Sequence, residues 1–195
     1  MNNMDNNNNN NNNLTHTLGE DLKRYGINTK PSFARKLKLL LFNSAPGVKF
    51  SVVFRSCQYY RGKNKVLFYF FFLYLRRIKY KYGFDISYRT NIGKGLYIGH
   101  FGGVVIHGDS IIGEYCNISQ GITIGVLNRG KNKGIPKIGN SVFIGPNAVV
   151  VGGITIEDDV LIGANSLVNF NVKANAVVAP QPSQIISYNG SKDYV

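Results

Sequence analysis

Aliphatic side chains recur at every sixth position in the second half of the chain. Between residues 138 and 168 the six-residue spacing is kept without interruption, and glycine follows the aliphatic residue at three of the six positions. A period of six matches neither the 3.6-residue period of a helix nor the simple alternation of a strand. It is typical of a coil that places one short strand on each face of a prism. The row consists of Ile138, Ile144, Val150, Ile156, Ile162 and Val168.

The same spacing occurs earlier in two other phases, over residues 86–104 and 106–124. The phase shifts by two near Gly102-Gly103 and again between residues 124 and 138. We interpret both shifts as loops that interrupt a parallel β-helix, and such loops commonly carry binding surfaces. Positions two before the aliphatic row are mostly small or apolar and are expected to form a second inward row. They are Ser110, Cys116, Ile122, Val142, Ala148, Ile154, Val160 and Ser166.

The chain ahead of the repeats predicts a small α-helical segment over residues 14–83. A Ser32 cap follows Pro31, and Leu37, Leu40 and Leu41 are expected on one side of their helix. Turn signals at 43–47 and 61–64 separate the later helices. The predicted helices are 17–25, 32–42, 48–60 and 66–75. The predicted organisation is a disordered Asn-rich tail over 1–13, the helical segment, a β-helix domain over 84–186 and a C-terminal tail over 187–195.

Basic residues are concentrated in the helical segment. Residues 14–83 hold 15 Lys or Arg against two acids, a net charge of +13, whereas residues 84–195 have a net charge of +1. A front end of this kind favours anionic lipid head groups or an acidic polymer, and a solvated basic face explains it equally well. Nucleic acid is not among the predicted partners.

The run 66–75 contains ten apolar residues, mostly aromatic, and is closed by Arg76-Arg77. A bilayer-spanning helix needs roughly 20, so this run is not predicted to cross a membrane. Two interpretations remain open. The helix is buried against its neighbours, or residues 66–81 lie on a membrane surface with their cations on anionic lipid.

The cysteines indicate a reducing compartment. Cys57 and Cys116 lie in different segments and show neither a disulfide framework nor a zinc spacing. The chain opens with asparagines rather than a basic residue and an apolar run, so we predict no secretory signal. The predicted location is the cytoplasm, with a peripheral position at the inner membrane face as a refinement.

Three histidines are candidates for chemistry, and His100 is the strongest. His16 borders the predicted tail, and His107 suits a turn in the coil wall. His100 lies at the first break of the six-residue spacing, where a side chain can leave the regular wall. A single histidine is more often structural than catalytic, so its position alone leaves both roles open.

Motifs around His100 strengthen the hypothesis that this residue is catalytic. Asp85-Ile86 precedes the first coil, and the later motifs are His100-Phe101-Gly102-Gly103, Ile118-Ser119-Gln120-Gly121-Ile122-Thr123-Ile124-Gly125 and Pro136-Lys137-Ile138-Gly139. In this order and spacing, the region 85–186 resembles the serine acetyltransferase branch of the left-handed β-helix acyltransferases. The resemblance implies a left-handed β-helix that moves an acetyl group from acetyl-CoA to a hydroxyl, without a metal.

The resemblance also implies roles for individual residues. His100 would be the general base, Asp85 would orient its imidazole, and a backbone N–H near Gly125 would hold the thioester oxygen. A cap or turn residue is the alternative for Asp85.

For the cofactor, the resemblance places the loop 126–136 along the CoA channel, with Arg129, Lys131 and Lys133 available to its phosphates. Turns at Gly145 and Gly163 would offer backbone groups to the pantetheine arm. The alternative for the three cations is a solvent-exposed loop tip, and the alternative for the two glycines is a tight corner of the coil. Relatives of this kind are trimers with the active site between neighbouring prisms, so a homotrimer is expected.

Three positions depart from the pattern where serine would bind. The family has Asp before its catalytic His and an Arg-His pair before the loop proline, whereas this chain has Gly99, Gly134 and Ile135. Without partners for the amine and carboxylate, serine is not expected as the acceptor. The short basic front resembles capsule and exopolysaccharide O-acetyltransferases, so the predicted acceptor is a saccharide hydroxyl.

The sequence also leaves alternatives open. The chain could acetylate serine or another small molecule. A non-catalytic β-helix that scaffolds a membrane assembly is an alternative of another class. A zinc-dependent carbonic anhydrase on a similar coil needs three histidine ligands, and only His100 and His107 remain outside the front end.

Overall fold

A computed structural model describes residues 11–28, 32–42, 45–185 and 188, with side chains from Leu14 onward. Four helices precede fourteen short strands. The helices are α1 (Asn11–Lys23), α2 (Phe33–Phe42), α3 (Pro46–Tyr60) and α4 (Lys65–Tyr82). The strands are β1 (Phe84–Ile86), β2 (Asn91–Ile92), β3 (Tyr97–Ile98), β4 (Val104–Ile106), β5 (Ile111–Ile112), β6 (Asn117–Ile118), β7 (Thr123–Gly125), β8 (Lys137–Ile138), β9 (Phe143–Ile144), β10 (Val149–Val151), β11 (Thr155–Ile156), β12 (Leu161–Ile162), β13 (Leu167–Val168) and β14 (Val177–Val178).

The strands form three parallel sheets, one on each face of a coil. Sheet A contains β1, β4, β7, β10 and β13, sheet B contains β2, β5, β8 and β11, and sheet C contains β3, β6, β9, β12 and β14. The predicted fold class is confirmed: the protein is a mainly β, left-handed parallel β-helix of hexapeptide repeats preceded by a small helical segment.

The hexapeptide rows become stacked columns inside this coil. In sheet A the column comprises Ile86, Ile106, Ile124, Val150 and Val168, whose successive members are 20, 18, 26 and 18 residues apart. Eighteen residues make one regular turn, so the first interval carries two extra residues and the third carries eight. The second inward row is also confirmed, because Ser110 through Ser166 in that row are all buried.

Two edges of the prism matter for the site. The His100 edge consists of the turns that lead from sheet C to sheet A, and the loop edge consists of those that lead from sheet A to sheet B. The two extra residues fall on the His100 edge at 99–103, and the eight fall on the loop edge at 126–136. The two phase shifts in the sequence therefore mark loops on opposite edges of one face.

Two of the helices differ in extent from their predictions. Helix α1 begins at Asn11, three residues inside the predicted tail, because adding a turn to a helix already anchored by buried Leu18 and Leu22 costs little. Residues 1–10 lie outside the described part of the chain, as does most of the predicted tail 187–195. Helix α4 continues through the basic run to Tyr82, where Gly83 takes the left-handed conformation of a helix C-cap (φ 69°).

Helix α2 buries only some of its leucines. Ser32 caps the helix as expected, since its Oγ accepts from the Arg35 N–H at 3.3 Å. Leu40 is buried, but Leu37 and Leu41 are exposed, and Leu39 is buried instead. Apolar residues surround this short helix on several sides, so the pattern alone could not select the buried face.

Helix α3 is the centre of the helical segment and joins it to the β-helix. Its residues from Gly47 to Cys57 are buried except Lys49. A Cβ at Gly47 would overlap the Ile98 carbonyl oxygen, so glycine is required where α3 crosses β3. The burial interpretation of residues 66–75 holds in part, because Phe71 and Leu75 are buried while other side chains of α4 are exposed. The membrane-surface interpretation stays a prediction. Within the described ranges no helix is both long and apolar enough to cross a bilayer.

Candidate active site

His100 projects from an irregular loop between β3 and β4. The loop needs glycine at Gly102 and Gly103, whose φ angles of 110° and 64° lie in the left-handed region. The Gly102 N–H donates to the Tyr82 carbonyl at 2.9 Å, and the Gly121 N–H donates to the Gly102 carbonyl at 2.8 Å. The loop is therefore held between the end of α4 and the next coil, while the His100 side chain is exposed.

Asp85 lies near the base of sheet A, on its outer surface. It pairs in register with Val105, and its carboxylate accepts from Lys79 Nζ at 2.6 Å. Within the continuous stretch 45–185 no hydrogen bond joins Asp85 to His100. The Lys79–Asp85 pair is about half exposed, and exposed pairs contribute about 0.2–1 kcal/mol, so Asp85 can change partner at small cost.

Gly145 and Gly163 share the His100 edge. Each opens the turn from sheet C to sheet A, two and three coils beyond His100. A Cβ at Gly145 would lie 2.7 Å from the Ala164 nitrogen, so the next coil packs directly on this turn. Tight packing therefore explains why glycine stands at Gly145. Because the two turns share an edge with His100, a ligand that lies along this edge could contact all three.

Gly125 and the cationic loop occupy the loop edge instead. Gly125 ends β7, and the loop that follows closes through paired residues Leu127 and Gly134. The loop lies over the following coil, where the Gly153 N–H donates to the Asn132 carbonyl at 2.9 Å. Its cations Arg129, Lys131 and Lys133 are exposed.

One protomer therefore does not bring all the predicted site residues together. His100 and Gly125 lie on opposite edges of sheet A, and its three-residue strands span about 10 Å at roughly 3.3 Å per residue. His100, Gly145 and Gly163 share one edge, while Gly125 and the three cations share the other.

Gln120 is a residue at this site to which the sequence assigned no role. It lies on the His100 edge one coil beyond the His100 loop, and the Asn147 N–H donates to its backbone carbonyl at 3.0 Å. Its side-chain Oε1 is buried without a hydrogen-bond partner among the described residues. The sequence signal for Gln120 is the position of the motif Ser119-Gln120-Gly121, which lies one coil after the His100 loop.

The remaining titratable groups do not form a second site. The His107 Nδ1 accepts from the Asp109 N–H at 3.3 Å, as in a turn. Burial raises the pKa of Cys57 and of Cys116 to about 11, so both thiols are protonated near neutral pH and are poor nucleophiles. Across the described ranges, no three His, Cys, Asp or Glu side chains converge to hold a metal.

Comparisons with known proteins find similarity to hexapeptide transferases. The Bacterial transferase hexapeptide (six repeats) family matches residues 135–169. A serine acetyltransferase of Synechococcus elongatus is 37% identical over 108 residues, which cover 55% of this chain and 44% of the relative. One from Staphylococcus epidermidis is 38% identical over 110 residues, covering 56% and 52%. The chain thus spans about half the length of these curated relatives.

Solved structures extend the similarity into the helices. Serine acetyltransferase isoform 3 of Entamoeba histolytica, in complex with cysteine, superposes with a TM-score of 0.68 at 29% identity, covering 90% of this chain and 62% of the other. The serine acetyltransferase of Neisseria gonorrhoeae, in complex with serine, gives a TM-score of 0.66 at 28% identity, covering 88% and 68%.

Proposed function

We propose that the protein is an acetyl-CoA-dependent O-acetyltransferase with His100 as its general base. The observation that carries this proposal is the exposed imidazole on an irregular loop of a hexapeptide β-helix, at the head of an edge formed by tightly packed turns. The sequence similarity to serine acetyltransferases supports the same reaction.

The reaction moves one proton from the acceptor to His100 and then from His100 to the leaving thiolate. The His100 imidazole takes the proton of the acceptor hydroxyl as its oxygen attacks the thioester carbon. When the carbon–sulfur bond breaks, the imidazolium returns that proton to the CoA sulfur. Asp85, once its carboxylate has left Lys79, orients and stabilises the imidazolium. A backbone N–H near Gly125 donates a hydrogen bond to the developing oxyanion.

The division of the site between two edges supports a homotrimer. A neighbouring prism that places its loop edge beside the His100 edge would bring Gly125 and the cations of one protomer to the histidine of the next. The CoA phosphates would then meet Arg129, Lys131 and Lys133, and the pantetheine arm would follow the turns at Gly145 and Gly163. The cytoplasm, where acetyl-CoA is made and used, remains the predicted location.

Neutralising the loop cations tests the cofactor part of the proposal. Arg129→Gln, Lys131→Gln and Lys133→Gln together are expected to raise KM for acetyl-CoA about tenfold while changing kcat little, because each exposed charge pair contributes under about 1 kcal/mol. Steady-state thiol release measures both constants.

Two controls accompany this triple variant. Acetyl-pantetheine carries no nucleotide phosphates, so its KM should not respond. Removal of three exposed cations elsewhere, at Lys38, Arg76 and Arg77, should leave the KM for acetyl-CoA unchanged. An equal rise of KM for both donors would contradict phosphate contacts by the loop.

Serine is the acceptor that the comparisons favour, because the similar curated proteins and the superposed structures are named serine acetyltransferases. This weighs against the expectation drawn from the sequence. A saccharide hydroxyl stays a second candidate on one observation: Gly99, Gly134 and Ile135 present no charge for an amino acid's carboxylate or amine.

A scan of acceptors separates these candidates. Thiol release from acetyl-CoA is measured with serine, neutral monosaccharides and lipid-linked saccharides at equal concentrations. If serine is the acceptor, its kcat/KM should exceed that of every saccharide by at least about 10²-fold, since a site built to pair a polar group rejects acceptors lacking it. The reverse order would support a saccharide.

A matched variant sharpens the scan. Gly99→Asp with Ile135→His adds two of the missing polar groups, and a Cβ at Gly99 would lie 3.2 Å from the Tyr97 ring, which can give way. Gly134 is left unchanged, because its φ of 136° and the 2.8 Å approach to Gly153 Cα exclude a side chain. A gain in serine turnover in this variant, without gain for saccharides, would indicate that the wild-type pocket is not built for serine.

A further inference from the structure

Helix α4 exposes an apolar stripe opposite its buried side. At 100° per residue, Val66, Phe70 and Leu73 lie within about 60° of one another, whereas buried Phe71 and Leu75 lie on the other side of the helix. Val66 is 79% exposed and Leu73 is 60% exposed. Packing on α3 explains why one side of α4 is buried. Among the described residues of the helical segment, none covers the other side.

Helix α2 carries similar exposed residues. Both helices pack on α3 near one residue, since Lys36 of α2 lies 6.0 Å from the Tyr60 ring and Phe71 of α4 stacks on that ring at 5.6 Å. We call the exposed apolar side chains that share one side of each helix the apolar face. The apolar face consists of Phe33, Leu37 and Leu41 of α2 with Val66, Tyr69, Phe70, Leu73 and Tyr80 of α4.

The charges around the apolar face have one sign. Helices α2 and α4 hold eight Lys or Arg and no acidic residue. Lys65, Arg76, Arg77 and Lys81 are exposed, and among the described residues no carboxylate forms a salt bridge with them. Arg77 lies on the stripe itself, four residues after Leu73, where a long side chain can extend its charge past apolar neighbours.

We propose that the apolar face docks on the surface of an anionic lipid bilayer. Aromatic and aliphatic side chains with cations interleaved are the composition of an interfacial helix, whose apolar side enters the head-group region while its cations meet anionic lipid. Charge complementarity selects this occupant over a second copy of the chain, which would bring the same cations against each other.

The candidate active site lies close to the C-terminal end of α4. The ring of Tyr82, the last residue of the helix, lies 5.9 Å from that of Phe101 in the His100 loop. At 100° per residue Tyr82 lies about 160° from Val66, so this loop meets the side of α4 opposite the stripe. Docking through the stripe would therefore leave the His100 loop on the far side of α4 from the bilayer.

Sedimentation with vesicles tests the proposal without requiring any activity. The full chain is mixed with vesicles of phosphatidylglycerol and phosphatidylcholine in equal parts, or of phosphatidylcholine alone. Binding to the mixed vesicles should be at least about tenfold tighter and should weaken as salt is raised. Equal binding to both compositions, or no sedimentation with either, would overturn the proposal.

Two variants locate the contact on the apolar face. Val66→Ser with Leu73→Ser should reduce binding to the mixed vesicles at least about tenfold, because both side chains are proposed to enter the head-group region. Val177→Ser with Ile185→Ser removes two exposed apolar side chains far along the chain and should change nothing. Equal binding of wild type and the first variant would overturn the proposal. A change of oligomeric mass in the first variant, by light scattering, would overturn it in favour of a protein interface.

Discussion

Replacing His100 by alanine is expected to lower kcat for acetyl transfer by about 10²–10⁴-fold, the usual contribution of a positioned general base. KM for acetyl-CoA should change by less than about twofold, because the imidazole acts on the acceptor hydroxyl and not on the bound cofactor. The exposed side chain makes no packing contact that the fold needs, so circular dichroism should be unchanged. Thiol release and calorimetric titration with CoA measure the two effects.

Matched variants decide what a loss of rate means. His107→Ala removes a turn histidine and should retain the wild-type rate. Asp85→Asn should lower kcat less than His100→Ala does, since the base itself remains and only its orienting partner is changed. A His100→Ala protein with more than about a tenth of the wild-type rate would refute the catalytic role and would favour a scaffold instead.

Replacing Arg55 by methionine is expected to lower the free energy of unfolding by about 3–5 kcal/mol, the usual result of removing one partner from a buried ion pair. Arg55 Nε donates to Asp21 Oδ2 at 2.8 Å, and the two side chains are 4% and 0% exposed. Arg55 also donates to the Ile92 carbonyl at 2.7 Å and to the Gly93 carbonyl at 2.6 Å, and Asp21 accepts from the Leu96 N–H at 2.9 Å. The variant thus loosens α1 and α3 from the first coil.

The pH dependence of this variant distinguishes an unpaired charge from lost packing. Burial raises the pKa of Asp21, and Arg55 opposes that rise. Without Arg55 the folded protein binds a proton at Asp21 more readily than the unfolded chain does, so the variant gains stability as pH falls. The deficit against wild type should therefore be smaller near about pH 5 than near about pH 7.

Urea unfolding at equal protomer concentration provides the measurement for this comparison. Asp21→Leu with Arg55→Met removes both charges and should recover part of the loss, because no carboxylate remains buried. A deficit that is independent of pH, or a double variant no better than the single one, would show that the pair matters only through packing.

The ion pair could not have been predicted from the sequence, whereas the coil could. The aliphatic residues from Ile138 to Val168 keep one spacing because each coil repeats the same local geometry. The six-residue period in the sequence therefore indicates the repeat of the coils in the structure. The pairing of Asp21 with Arg55 joins residues 34 positions apart in a segment with no repeat, and only packing brings them together. The buried side of α2 is likewise set by packing on α3.

The candidate site was partly accessible from the sequence. His100 stood out because it lies where the six-residue spacing breaks, and the motifs around it indicated acetyl transfer. The assignment of its neighbours required tertiary structure, since only stacking shows that Gly145 and Gly163 share its edge while Gly125 and the loop cations lie across sheet A. The buried Oε1 of Gln120 and the Lys79–Asp85 pair had no sequence signal of their own.

The period of the repeat was enough to predict the β-helix, its two interruptions and the histidine at the first of them, because a repeat imposes its period on every coil and an irregularity is visible as a shift. The edge that each interruption occupies, and the helix faces that are buried or left to solvent, could be assigned only from the fold. Those outcomes depend on contacts between residues that are distant in the chain, and such contacts leave no period in the sequence.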